Sequence, residues 1–215
     1  MIESQIIERG SARLAIPGGS ALEAVVLARS TLGDRWRHVS LTWVDERCVP
    51  FADPESNRGT AARSGLFEAT ASGDPKPDSG HGPARVLPLF CDGESPSASI
   101  ARVEQGLTSG FADVLDVVLL GMGADGHVAS LFPGRATAPR GRVVHVGDSP
   151  KPPADRISLT RAFLATARHV ILVAAGASKR DALRRLLAGD EALPAHGLEG
   201  LVVVTDLGDI ESGGG

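Results

Sequence analysis

The chain has 215 residues, 42% hydrophobic and 22% charged, enough apolar material for a single sizeable core and too little charge for a disordered chain. Twenty-two Lys and Arg against 26 Asp and Glu leave a net charge of −4, so no overall basic surface meets a nucleic-acid backbone and no nucleic-acid partner is expected. Cys48 and Cys91 stand far apart and outside any C-x-x-C pair, which argues against a disulfide framework or zinc ribbon and fits a cytoplasmic location.

Met1 to Gly10 lacks the basic, apolar, small-residue order of an export signal. Arg13 to Ile16 reads as a strand that stops at Pro17-Gly18-Gly19-Ser20, and Ala21 to Leu32 as a helix with Ser20 as its N-cap. Val39 to Val44 is a second strand, followed by a charged turn, Asp45 to Pro50, and a helix from Ser56-Asn57. The Pro/Gly/Ser-rich stretch Ser72 to Pro83 is a loop, and Val86 to Leu89 a short strand. Ile100, Val103, Glu104 and Leu107 have helical spacing, and Leu115 to Leu120 is a buried strand ending in Gly121-Met122-Gly123-Ala124-Asp125-Gly126-His127. Val143 to Val146, Ile157 to Leu159, Val170 to Ala174 and Leu201 to Thr205 are further strands, with a helix over Ala177 to Leu187 before the last. The most apolar runs are too short to span a bilayer, and Asp116 interrupts one of them, so no membrane span is expected. Strands alternating with helices predict a parallel α/β sheet in one domain, with a frayed tail at 212–215.

In such sheets ligands sit beyond the carboxyl ends of the strands, where the polar clusters of this chain fall. Gly18, Gly19 and Ser20 offer backbone amides and a hydroxyl at a helix N-terminus, a setting that favours an anion such as phosphate. Read alone, the segment is equally a tight turn with a cap. Arg47, beside Asp45 and Glu46, can grip a phosphate through two parallel donors or lie in a surface ion pair. His127 is delivered into the crevice by a turn of three glycines, and no second histidine stands at metal-ligand spacing, so it reads as an acid/base group and no metal is expected. Lys179 opens a helix, where the dipole disfavours a cation unless an anion is bound. Ser149-Pro150-Lys151-Pro152-Pro153 reads as a stiff, extended segment that presents one lysine ahead of Arg156.

In this order the segments resemble the 6-phosphogluconolactonase family. The similarity runs from about Ala15 to Asp206. It is densest at Trp43-Val-Asp-Glu-Arg-Cys-Val-Pro50 with Ser56-Asn57, at Leu119 to Gly134 with its G-x-G-x-D-G-H-x-A-S-L-F-P pattern, at Ser149 to Thr160, and at Gly176-Ala-Ser-Lys179. The chain departs from the family in carrying Ala21-Leu22 where the pattern has Thr-Pro. It also begins late, which predicts a sheet edge that is exposed or covered by a neighbouring molecule. The resemblance implies a Rossmann-like open, mainly parallel sheet flanked by helices, a three-layer sandwich. It implies hydrolysis of 6-phospho-D-glucono-1,5-lactone without a cofactor, by a monomer or weak homo-oligomer. His127 would be the catalytic histidine, with Asp45 lining the site as the second catalytic residue, Arg47 and the Gly18-Gly19-Ser20 loop the phosphate ligands, and Lys179, Lys151 and Arg156 further substrate contacts. Amides of the glycine turn would serve the oxyanion. A glucosamine-6-phosphate deaminase shares the glycine turn but continues with an A-F-N-E-P-like sequence, whereas Ala129-Ser130-Leu131-Phe132-Pro133 follows here. A non-catalytic sugar-phosphate sensor would need an output domain for which the chain has no room.

Overall fold

Apolar runs punctuated by glycine and proline set the architecture. The computed structural model describes residues 1–76, 82–135 and 141–208; residues 77–81 of the expected loop and the expected tail at 212–215 lie outside them. In chain order the elements are α1 (Ile2–Arg9), β1 (Ala12–Ile16), α2 (Leu22–Leu32), β2 (Val39–Trp43), β3 (Asp45–Arg47), α3 (Asn57–Arg63), β4 (Arg85–Leu87), α4 (Pro96–Phe111), β5 (Val117–Gly121), β6 (Val143–Val146), β7 (Arg156–Leu159), α5 (Arg161–Leu164), β8 (His169–Val173), α6 (Arg180–Leu187) and β9 (Val202–Val204). Short 3-10 turns cover Gly19–Ala21, Gly33–His38 and Ala177–Lys179.

Six strands form one parallel sheet in the order β4-β2-β1-β5-β8-β9, flanked by helices. Its central strands are closed to water on both faces: Leu14, Ile16, Leu41, Val117, Val118 and Leu120 have no exposed surface, as strands covered on two sides require. The chain leaves β1 toward β2 on one side and later returns to β5 on the other. This reversal opens a crevice at the carboxyl ends of β1 and β5, the place where open α/β sheets take their ligands. At the sheet edge, β9 exposes Val202 and Val204.

A second sheet, antiparallel and ordered β3-β7-β6, stands over that crevice. The fold is thus mainly parallel, as expected, with the expected strands β6 and β7 pairing antiparallel with each other rather than joining the main sheet. The expected turn Asp45–Arg47 is strand β3. Val44 is the crossing point: its N–H bonds Ile16 in the main sheet at 2.9 Å, and its carbonyl accepts Leu159 N–H of the second sheet at 2.9 Å.

Three helices begin on side-chain caps, with Ser56 accepting from Gly59 N–H at 2.9 Å, Ser95 from Ala98 at 3.3 Å and Thr160 from Phe163 at 3.2 Å. Each contributes on the order of 1 kcal/mol. The expected cap at Ser20 is not made. A 3-10 turn precedes α2, moving the helix start to Leu22 and leaving Ser20 exposed beside the crevice. Helix α1 was not expected from its sequence, since it buries only Gln5 and Ile6 and leaves Ile7 on the surface.

Candidate active site

A cavity of about 280 Å³ occupies the crevice, and all nine residues singled out above line it: Gly18, Gly19, Ser20, Asp45, Arg47, His127, Lys151, Arg156 and Lys179. Four sources supply them, the turn after β8 bringing Lys179. The turn after β1 brings the glycines and Ser20, the turn after β5 brings His127, and the second sheet with its loop brings Asp45, Arg47, Lys151 and Arg156.

Alternation along β3 divides its three residues between two tasks. Asp45 and Arg47 line the cavity, while Glu46 points to the start of α3 and accepts the N–H groups of Arg47, Asn57 and Arg58 at 2.7, 2.8 and 2.6 Å. Burial pushes the Glu46 carboxyl up to about 7 against the pull of those three donors. The effect is to tie α3 to the wall that carries Arg47. Arg47 gives one terminal nitrogen to the Glu55 carbonyl at 2.7 Å and carboxylate at 3.2 Å, and its Nε has no partner among the described residues.

Asp45 is buried and well supported: Ser130 Oγ donates to it at 2.7 Å, Asn57 Nδ2 approaches at 3.4 Å, and an Arg156 nitrogen stands 3.7 Å away. Asn57 also donates to the Asp45 carbonyl at 2.9 Å, and its side chain fills the space that a Cβ at Gly18 would need. That contact explains glycine at position 18.

His127 sits at 18% side-chain exposure, with the Phe132 ring 5.0 Å away. Its Nδ1 lies 2.6 Å from Asp125 Oδ1, and Lys151 Nζ lies 3.0 Å from the same oxygen and 3.3 Å from Nδ1. Burial opposes ionisation of Asp125, but hydrogen bonds from His127 and Lys151 hold its carboxyl well below the usual carboxylate range. Burial likewise moves the His127 pKa down, with Asp125 pulling the other way. A neutral imidazole beside an ionised Asp125 carries its proton on Nδ1 and its lone pair on Nε2. Gly123 is required in the turn, since a Cβ there would collide with the imidazole Nδ1.

These contacts narrow one expectation and correct another. The glycine turn, expected to supply oxyanion donors, spends its Gly123 and Gly126 amides on the His127 and Gly123 carbonyls at 2.8 and 2.9 Å. The cavity-lining Ala124 keeps an N–H without an acceptor among the described residues. The proline segment is not extended: Ser149 N–H bonds the Ala154 carbonyl at 3.1 Å, and the Pro152–Pro153 bond is cis. Arg156, 3% exposed, donates to the carbonyls of Lys151, Pro152 and Pro153 at 3.0, 3.3 and 3.0 Å, so most of its donors hold that loop. Lys179, on the 3-10 turn before α6, reaches the cavity wall.

The sequence profile described as glucosamine-6-phosphate isomerases/6-phosphogluconolactonase matches residues 1–204. The chain belongs to this family. Among its relatives, the 6-phosphogluconolactonase of Streptomyces coelicolor is 38% identical over 205 residues, spanning 89% of this chain and 77% of that protein. The 6-phosphogluconolactonase of Rhizobium meliloti is 34% identical over 200 residues, spanning 89% and 80%. The crystallised 6-phosphogluconolactonase of Trypanosoma brucei superposes with a TM-score of 0.70 at 26% identity, over 95% of this chain and 87% of that one.

Sequence reasoning gave no role to Asp125, Asn57 or Ser130. Asp125 had a readable signal in its position two residues before His127, whereas the contacts of Asn57 and Ser130 with Asp45 depend on β3 lying against α3 and the turn after β5.

Proposed function

We propose that this protein hydrolyses 6-phospho-D-glucono-1,5-lactone to 6-phospho-D-gluconate as a single cytoplasmic domain, a monomer or weak homo-oligomer. One observation carries the reading: a half-buried Asp125–His127 pair and the Arg47 guanidinium open into the same cavity with the Gly18-Gly19-Ser20 turn. The anion-binding groups and the base are thus placed for a substrate with a phosphate at one end and an ester at the other.

Phosphate binds the N-terminal turn, Arg47 and Lys179, where free N–H groups, helix dipole and cations all favour a dianion. That remote binding aligns the lactone carbonyl with His127. Asp125 holds the Nδ1 proton, so Nε2 takes a proton from water as the water oxygen bonds to C1. The Ala124 N–H is the turn's donor for the developing oxyanion. When the C1–O5 bond breaks, the imidazolium returns its proton to the leaving ring oxygen, and the open acid departs as a carboxylate with release of one proton to solvent. Asp45 is a fixed wall here, since its carboxylate is engaged by Ser130 and faced by Arg156. The steps use no cofactor or metal, and chelator treatment is expected to leave the rate unchanged.

The test is lactone hydrolysis by purified protein, corrected for the spontaneous background, beside an assay for ammonia from glucosamine 6-phosphate. Hydrolysis without ammonia is expected, because a deaminase needs a second group to move a proton between C1 and C2. After His127 come Val128, Ala129, Ser130 and Leu131, none with a carboxylate. Ammonia release at a rate rivalling hydrolysis, or lactone binding without hydrolysis, would overturn the reading.

A further inference from the structure

We propose that Lys151 is a positioning residue for His127, holding Asp125 in place and barring positive charge from the ring so that the imidazole stays a neutral base with its lone pair on Nε2. The proposal rests on the reading of His127 as the base and adds the group that sets its protonation.

Asp125 Oδ1 receives two donors, His127 Nδ1 at 2.6 Å and Lys151 Nζ at 3.0 Å. While Nδ1 carries its proton toward Asp125 it cannot accept from the ammonium, so the 3.3 Å approach of Nζ to Nδ1 is a charge set against the ring and no hydrogen bond. Protonating the imidazole would place two cations at that distance. Among the described residues, the other charged groups around the ring are Asp125 on its own turn, Asp45 from β3 with Arg156 of β7 against it, and Arg47 and Lys179 on the cavity walls, with the neutral Phe132 ring against one side. Both carboxylates favour an imidazolium; burial and Lys151 oppose it. Lys151 thus lets the site keep a carboxylate that fixes the tautomer without the rise in basicity that carboxylate alone would bring.

The loop is built to hold this lysine still. Ser149 Oγ donates to the Lys151 carbonyl at 2.8 Å and accepts its N–H at 3.2 Å, while Arg156, buried beneath, donates to three successive carbonyls from Lys151 to Pro153. A lysine serving only solubility has no use for a buried guanidinium under its backbone.

The experiment is an imidazole 15N NMR titration of the free protein in wild type, Lys151→Met and Lys151→Arg, with His127→Gln identifying the signal among the 6 histidines. In Lys151→Met the His127 titration is expected to move up by about half a unit to one unit, an ordinary size for a protein pKa perturbation. Lys151→Arg, which keeps the charge, is expected to return it toward wild type. The acid limb of kcat/KM should shift in the same direction and by the same amount as the titration. An unmoved titration in Lys151→Met would overturn the proposal, as would a roughly 10²-fold loss of plateau kcat with the titration unmoved, the mark of a group acting on substrate directly. Circular dichroism checks that the half-exposed substitution leaves the fold intact. Because the titration needs no substrate, absence of lactone hydrolysis in wild type would refute the functional reading and leave this test standing.

Discussion

At the scale of single residues, the chemistry depends on one imidazole held between a carboxylate and an ammonium, and the two partners predict opposite changes. His127→Asn removes the base and is expected to lower kcat by ~10²–10⁴ while substrate affinity persists. Asp125→Asn keeps the ring but removes the acceptor at 2.6 Å that fixes its tautomer, so kcat is expected to fall by about 10² or more. The sign of the pH effect follows from the charge removed. Asp125 raises the His127 pKa against burial, so in Asp125→Asn the residual activity should persist to lower pH than in wild type. In wild type the acid limb itself should lie below the ordinary histidine range, because burial outweighs Asp125. A limb that moved up in Asp125→Asn would contradict the arrangement. Arg47→Ala should raise KM for the phosphorylated lactone and narrow its advantage over unphosphorylated gluconolactone; an undiminished advantage would remove Arg47 from the phosphate site. His127 and Arg47 were legible because each stands in a dense local pattern. The ammonium 3.3 Å from the ring was not, since Lys151 is distant in sequence and meets His127 only in the fold.

At the scale of elements, the site works because tight turns bring backbone close to side chains. Gly123→Ala should keep the sheet yet cost most of the activity, since its Cβ would displace the His127 ring. Gly18→Ala should act at the other wall by displacing Asn57, and with it a donor to Asp45, so a higher KM at nearly normal stability is the outcome to look for in kinetics and thermal unfolding. Either variant with wild-type kinetics would show that the turn tolerates more space than its contacts allow. The same local crowding explains which elements could be read from sequence. Strands β1, β2 and β5 are apolar runs ending at glycine, proline or charge, and their buried faces leave no alternative. Strand β3 is three polar residues, Asp45, Glu46 and Arg47, that read as a turn. They become a strand only because Ser158, Ile157 and Arg156 arrive from far along the chain to pair with them. Ser20 likewise reads as a cap, and the inserted 3-10 turn displaces it.

At the scale of the molecule, the functional crevice lies at one end of the parallel strands, and a single buried charge ties them together at the other. Asp116, which interrupts an otherwise apolar run, is 2% exposed just before β5. Its carboxylate accepts the Arg13 N–H of β1 at 2.9 Å and Arg168 Nε at 3.1 Å, while its backbone pairs with Arg13 and with His169 of β8. Three central strands therefore meet at one residue. The Arg168 side chain is 41% exposed, so solvent screens that ion pair and it contributes little. The larger cost of Asp116→Ala is the part-buried Arg13 N–H left without its charged acceptor, on the order of 2–3 kcal/mol. For a chain of this size each kcal/mol lowers Tm by about 2–4 °C, giving a fall of roughly 5–10 °C. Asp116→Asn keeps an oxygen for the Arg13 N–H and should lose less than Asp116→Ala. Because the site lies across the length of the strands from Asp116, kcat and KM for the lactone well below Tm should stay at wild-type values in both variants. Thermal unfolding beside kinetics separates the effects: unchanged Tm would show that the carboxylate does not hold the strand ends, and altered kinetics at full folding would show that the ends of the sheet are coupled.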